Sequence, residues 1–459
     1  MKNSILLFCY LLLLQQGLAQ YTQVPDSNFE QALIDLGIDS EGILDGQFLT
    51  TDALGVLELL IQERSISDLT GIEAFIDLLS LVAFENNLSS IDLSQLPITL
   101  HSLFLDNNNL TDIDLSPIPN IVNLNLSSNN FTQIDASNLI HMFAFYVSNN
   151  LELSSILIEN CTNLQALGFK NTKIQTVDLS SCPSLRWVDC FDNNYLDSLD
   201  FTYNQNLEEV RSFNSSLTSI NLPNNPDLVY LSVGNTQLTE LNVTNCPSLE
   251  ELYFTNIGLT SIDVTQNPNL ERLFFSDNQI IDLDITQNPN LTWVICDNNE
   301  IQNVDFMNNL NLIEFNCDNN PIEEFINIQG AVNLEKLISS NTNILEVDLS
   351  QNSNLLQVSF WQSSNLEFVN LQNGNNENLG IFVGTQCPNL SCVVVDDPLA
   401  DNDNILVDAN TSLVGSIEEC DDLSINDNEF QNLIQVYPNP VNNILYLENH
   451  KNIVFGVLK

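Results

Sequence analysis

Apolar and polar positions recur along this chain with a period of 21 residues. The clearest copies open at Leu249, Leu270 and Leu291 and read LEELYFTNIGLTSIDVTQNPN, LERLFFSDNQIIDLDITQNPN and LTWVICDNNEIQNVDFMNNLN. In the second copy Leu270, Leu273 and Phe275 fall on one side of an extended segment, and Arg272, Phe274 and Ser276 fall on the other. That alternation is strand periodicity. The second half repeats it in short form: Ile280, Leu283 and Ile285 are apolar, and Asp284 faces away. A 21-residue unit that begins with a strand leaves no room for a long helix. Each unit is therefore expected to be one coil of a solenoid, with a strand on one side and a short extended segment on the other.

The first coil is degenerate, with Val56, Leu59 and Ile61 leading into Ile66 and Leu69. Regular copies then open at Leu78, Leu100, Ile121, Met142, Leu164, Leu185, Leu207, Leu228, Leu249, Leu270, Leu291, Leu312, Leu334 and Leu355, at steps of 21 or 22 residues. After Leu371 the stretch QNGNNENLG interrupts the count, and a last strand is expected from Leu390 to Val395. This predicts one parallel sheet of about 16 strands, roughly 70 Å long, over stacked rows of Leu, Ile, Val and Phe. Little helix is expected outside the N-terminal cap.

Two polar rows are as regular. An Asn follows the first strand at Asn86, Asn108, Asn129, Asn150, Asn193, Asn278, Asn299 and Asn320, with Thr172, Ser215, Thr236, Thr342 and Ser363 in its place elsewhere. It points inward at a turn, where buried backbone groups need partners, so its role is structural. The second row lies between the apolar positions of the second half: Asp92, Asp114, Asp135, Asp178, Asp200, Asp263, Asp284, Asp305 and Asp348, with Asn221, Asn242, Asn327 and Asn370 in other coils. These side chains face outward. Acceptance of a backbone amide two residues on explains a row that admits both Asp and Asn, and a row of bound calcium would be weakened by the Asn members.

These features resemble leucine-rich repeats, specifically the short 21-residue bacterial variety, over Val56 to Val395. The resemblance implies a curved solenoid used for molecular recognition on its concave sheet, and it implies no catalytic residues. A second resemblance lies at Val436 to Val441, Val-Tyr-Pro-Asn-Pro-Val, followed by alternating apolar residues. It looks like the start of the C-terminal sorting domain of the type IX secretion system of Bacteroidetes, here truncated. Residues 1–19, with Lys2, the apolar run Ile5 to Leu14 and Gly17-Leu18-Ala19, read as a secretory signal peptide. Ser27-Asn28-Phe29-Glu30 reads as a capping box that starts a short helix, with Ser27 as N-cap, closing at Gly37. The expected organisation is signal peptide 1–19, N-terminal helical cap 20–53, repeats 54–398, C-terminal cap 399–422, linker 423–435 and truncated sorting domain 436–459. The chain is expected outside the inner membrane: secreted or on the surface of a Gram-negative cell, or periplasmic if the shortened signal fails.

Composition narrows the chemistry. The net charge is −50, so binding to nucleic acid through its phosphates is excluded. No stretch beyond the leader is long and apolar enough for membrane insertion. The three histidines, His101, His141 and His450, lie near no nucleophile pattern, and there is no phosphate loop or zinc-protease motif. No catalytic residue, cofactor or metal site is expected. Asp39, Glu41 and Asp45 could bind calcium, but their spacing fits no known loop, and a polar loop is the simpler account. Of ten cysteines, Cys9 lies in the leader. Cys190, Cys296 and Cys317 take inward strand positions, and Cys161, Cys182, Cys246 and Cys387 take the slot before the coil's Pro or its substitute, as buried thiols. Cys392 and Cys420 flank the last cap and are the expected disulfide.

What remains is the outward side of the first strands. All three tryptophans, Trp187, Trp293 and Trp361, fall there, with Tyr146, Tyr230, Tyr253, Phe104, Phe191, Phe213 and Phe274 and the bases Lys170, Arg211, Arg272 and Lys336. β-propensity accounts for aromatic residues in strands, but not for the bases. Arg with Trp and Tyr is the composition of binding hot spots. The predicted ligand-binding set is Trp187, Phe191, Arg211, Phe213, Tyr230, Tyr253, Arg272, Phe274 and Trp293, facing an extracellular protein or a glycan. A structural role in a cell-surface matrix is the alternative that needs no ligand.

Overall fold

A computed structural model describes residues 20–423 and three strands beyond them, Ile434–Pro438, Leu445–Asn449 and Val454–Leu458. The expected signal peptide and most of the linker lie outside the described residues. The architecture is a parallel β-solenoid of about 17 turns with very little helix. It divides into two compact units, Met1–Asn278 and Gln279–Lys459.

The first unit opens with a cap. Tyr21–Gln23 pairs antiparallel with Gln47–Leu49, and the helix Ser27–Asp35 lies between them in sequence. The N-cap is Asp26, not Ser27 as the capping-box pattern suggests: the Asp26 Oδ1 accepts from the amides of Asn28 and Phe29. Its other oxygen accepts from Ser67 and Asp68 of the first coil, so one carboxylate ties the helix to the solenoid. Glu30 does not close a box either. It is buried and takes the amides of Asp45, Gly46 and Gln47 at 2.7, 2.7 and 3.2 Å. Asp39 turns its Oδ1 to the amides of Glu41 and Gly42, and Glu41 accepts the Tyr21 hydroxyl. These acids serve their own loop.

The first-row strands of this unit run from Glu58–Leu60 to Arg272–Phe274, three residues each, every one parallel to and in register with the next. Leu252 and Leu273 show the rule: partners in register, both fully buried. The inward Asn row satisfies the turn that follows. Asn108 donates to the carbonyls of Ala83 and Leu105 and accepts from the amide of Leu88, wholly inside. The residue before the ladder position is left-handed, as in Asn214, Asn235 and Asn256 at φ 53, 53 and 55°, the last of them preceding Ile257, where the polar row is broken. Asn bears that conformation better than most residues. These outer Asn side chains form a ladder of their own: Asn256 donates to Asn235, Asn235 to Asn214 and Asn214 to Asp192, at 2.8 to 3.0 Å.

The second-half acids behave as the local-bond account requires. The amides of Ser94, Ser116, Thr202 and Thr265 donate to Asp92, Asp114, Asp200 and Asp263 at 3.0 Å, and Thr244 donates to Asn242 at the same distance. Asn221 adds a donor to Asp200 of the coil before it, which relieves charge in the row.

The second unit repeats the plan with first-row strands from Trp293–Ile295 to Ile405–Val407. Here the predicted end is corrected. Cys392–Val394 belongs to the second row, between Phe368–Asn370 and Ser412–Val414. The first row resumes right after the insertion, at Ile381–Gly384, and gains one more strand at Ile405–Val407. The repeat therefore runs past residue 398, because the insertion lengthens the coil between the rows rather than ending the stack. Cys387 is corrected too. It follows left-handed Gln386 in the place of the inward Asn, and its Sγ donates to the carbonyl of Phe360 at 3.0 Å. Helix Ile417–Leu423 closes the stack, and the disulfide Cys392–Cys420 (Cα–Cα 5.8 Å) fastens it over Val394 and Val414. The three strands at the chain end form an antiparallel sheet.

Candidate recognition surface

Parallel pairing in register sets residues 21 or 22 apart in sequence side by side on the outward face. One row of the first unit reads Ala166, Trp187, Glu209, Tyr230, Glu251 and Arg272. Its neighbour reads Gly168, Asp189, Arg211, Ser232, Tyr253 and Phe274. Eight of the predicted ligand-binding residues, Trp187 to Phe274, lie in this unit, and none of them is buried.

The rings touch in two groups. Phe191 and Phe213 stack at 4.6 Å with planes 7° apart. Tyr253 meets Tyr230 at 5.3 Å and the edge of Phe274 at 5.0 Å. Cations cover several faces: Lys170 on Phe191 at 4.8 Å, Arg186 on Trp187 at 4.6 Å and Arg211 on Tyr230 at 5.2 Å. Two of these bases are also held by carboxylates, Arg186 by Glu208 and Arg211 by Glu209, and Arg272 pairs with Glu251. The Tyr253 hydroxyl donates to Glu251 at 2.6 Å. Burial and then that bond push its pKa well up, so the phenol stays protonated and donating.

Two features prepare the ledge from below. Gly168 is buried under Tyr146, where a Cβ would stand 2.7 Å from the ring, so a glycine lets that ring lie flat on the sheet. Asp189 sits between Gly168 and Arg211 in its row. Its Oδ1 is buried without a donor, and burial raises its pKa against the pull of Lys170 and Arg211. Asp189, Arg186, Glu209 and Glu251 were not singled out from the sequence. The signal for the two glutamates was available in the alternation Trp187, Glu209, Tyr230, Glu251 at one strand position of successive coils.

Trp293 belongs to the second unit, at the corresponding position of its first strand and in register with Glu314. There Lys336 pairs with Glu314 at 3.3 Å, and Trp361 is 42 % exposed. No group of three or more His, Cys, Asp or Glu side chains that could hold a metal ion occurs among the described residues.

No family model matches the sequence, and no curated protein matches it. Solved structures do. The functional domain of InlJ from Listeria monocytogenes, described as including a cysteine ladder, is 24 % identical with a TM-score of 0.61, over 77 % of this chain and 82 % of that one. A leucine-rich-repeat protein from Leptospira interrogans is 19 % identical with a TM-score of 0.53, over 69 % of this chain and 92 % of that one. With its inward Leu rows, Asn ladder and parallel first-row strands, this chain has the leucine-rich-repeat solenoid fold.

Proposed function

We propose that the chain is an exported, non-catalytic recognition scaffold whose first unit holds a protein partner on the outward face of its first-row strands. The observation that carries this is the ledge from Lys170 to Phe274, where rings and bases gather and hold one another in place. Side chains already fixed by neighbours lose little freedom on binding, which favours affinity. A glycan platform needs free ring faces. Here Phe213 and Lys170 lie on Phe191, Arg186 lies on Trp187 and Arg211 lies on Tyr230, so a protein that meets ring edges and paired charges fits better. A purely structural matrix role gives no reason for such types to cluster. The leader pattern in residues 1–19 and the Val436–Val441 motif support export by a type IX route in a Bacteroidetes cell, to the surface or the medium.

The mature chain and its Trp187→Ala/Arg211→Ala/Tyr253→Ala variant test the binding site. Both are immobilised, and the surface and secreted proteins of the producing cell are passed over them. Anchoring residues of this kind contribute about 2 kcal/mol or more each. The variant should lose what the parent captures while its melting temperature stays within a few degrees. Equal capture by both chains, or an unfolded variant, would overturn the reading. Export is checked by adding protease to intact cells, and a protected chain would place it in the periplasm.

A further inference from the structure

The first five coils carry a second surface, away from the ledge and lacking its bases. Two rows run down the side where each coil enters its first-row strand. One is Leu57, Leu79, His101, Val122 and Phe143, joined coil to coil by backbone bonds from each amide to the carbonyl before it. The other lies three residues earlier: Leu54, Ile76, Ile98, Pro119 and Ile140. Ile76, Ile98 and Ile140 are 60, 62 and 47 % exposed, and Leu54, Leu57 and Phe143 are exposed as well. An apolar strip, broken in its first row by His101, marks a contact when it is exposed over several coils. In the later coils of this unit the first row turns largely polar or charged, with Gln165, Arg186, Glu208, Glu250 and Glu271 and only Val229 apolar, while the second loses its large side chains to Thr162, Gln205 and the prolines Pro183, Pro226, Pro247 and Pro268. The chain thus leaves these rows without charge in its N-terminal coils while carrying a net charge of −50.

We propose that this strip is the contact between two copies of the chain. Its side chains rise once per coil, about 4.8 Å apart. A partner fills the grooves along the whole strip only if its own ridges repeat at that spacing, and a second copy brings that repeat. Set antiparallel about a two-fold axis, each row meets its twin, as a self-complementary interface requires. Electrostatics points the same way. Two copies repel wherever their acid coats meet, and between these two rows the first five coils place one acid, Asp77, which accepts from the Gly55 amide. Five coils span only about 20 Å, small beside a standard interface of ~800 Å² per partner, so the dimer is weak and concentration-dependent. Added salt screens the acid coats and tightens it, the reverse of an interface held by ion pairs.

Sedimentation velocity on the mature chain, from micromolar to several hundred micromolar and at low and high sodium chloride, tests this. The expected result is a monomer–dimer equilibrium that shifts toward dimer with concentration and with salt. Ile98→Glu/Phe143→Glu should abolish the dimer, and Ile98→Ser/Phe143→Ser should weaken it at least tenfold, both with the unfolding of the first unit unchanged. The serine pair keeps the test valid if the charged pair does not fold. A monomer under every condition overturns the proposal. So does a dimer that neither variant moves, or one lost instead by the ledge variant.

Discussion

Replacing Asn193 by Ala probes the ladder that the solenoid rests on. Asn193 is fully buried. Its Nδ2 donates to the carbonyls of Phe169 (3.0 Å) and Cys190 (2.8 Å), and its Oδ1 accepts from the Thr172 amide (2.7 Å) and hydroxyl (3.0 Å). The single proton of the Thr172 hydroxyl turns to the Phe169 carbonyl, 3.1 Å away, when the Asn193 side chain is gone. Two groups are then stranded, the Cys190 carbonyl and the Thr172 amide. Each costs about 1–3 kcal/mol unmet, so Asn193→Ala should destabilise by about 4 kcal/mol. Ser should cost about half as much or less. Ser363 shows why: it holds this place in its own coil, accepting from the Thr342 amide at 3.2 Å and donating to the Ser339 carbonyl at 3.2 Å. Long repeat arrays often unfold in parts, so the probe must be local. Trp187 is the one tryptophan of the first unit, and a Trp293→Phe/Trp361→Phe background makes its fluorescence in urea report that unit alone. If Asn193→Ala costs under ~1 kcal/mol, or if Ser costs as much as Ala, stranded backbone groups are not what the ladder prevents.

Three further outcomes follow from the same structure. Bonds from Ser94, Ser116, Ser180, Thr202 and Thr265 hold Asp92, Asp114, Asp178, Asp200 and Asp263 below the ordinary carboxylate range. Their contribution is present above the unfolded value of about 4 and is lost as pH falls through the lower folded values; urea midpoints should therefore drop on acidification, Asp263→Asn should remove its share of that drop, and a saturable rise with micromolar calcium would instead mean a metal row. Removing Cys392–Cys420 as a Ser pair should cost ~3 kcal/mol in the chain-entropy model and open helix Ile417–Leu423 to protease, and non-reducing peptide maps should show the two cysteines joined. The other seven cysteines among the described residues are buried, and burial pushes Cys161 to about 11 and Cys182 to about 12, so thiol reagents at neutral pH should label none of these seven until the chain unfolds.

Much of this was legible in the sequence because each coil states the same rule again. The alternation at Leu270, Arg272, Leu273 and Phe274 fixed which side chains face out, and one correct phase served every coil. Where the repetition failed, so did inference. The insertion after Leu371 hid the strand Ile381–Gly384, and Leu390–Val395 looked enough like a first strand to take its place. Cys387 precedes a Pro and so matched the wrong slot, since a two-residue match cannot tell two turns apart. The cap helix was found, but its N-cap is Asp26, which takes the amides of Asn28 and Phe29 through one oxygen and Ser67 through the other, and local pattern cannot contain that second, distant bond. At the ledge the residues that stand out by rarity were visible. The common acids that hold them, Glu209 and Glu251, were lost among sixty Asp and Glu.

The outer asparagine ladder gives the molecule a direction. In the first unit Asn256 donates to Asn235, Asn235 to Asn214 and Asn214 to Asp192, each bond running toward the coil before. The amide dipoles therefore point one way, hydrogen end toward the N-terminal coils, and they add as peptide dipoles add along a helix. A row of that kind needs an acceptor at its hydrogen end, and Asp192 is an acceptor that cannot donate. The same carboxylate placed at Asn235 would receive from Asn256 but return nothing to Asn214, splitting the row into two shorter dipoles. Asp and Asn, nearly identical in shape, are thus not interchangeable along this edge: one begins a row, and only the other can continue it.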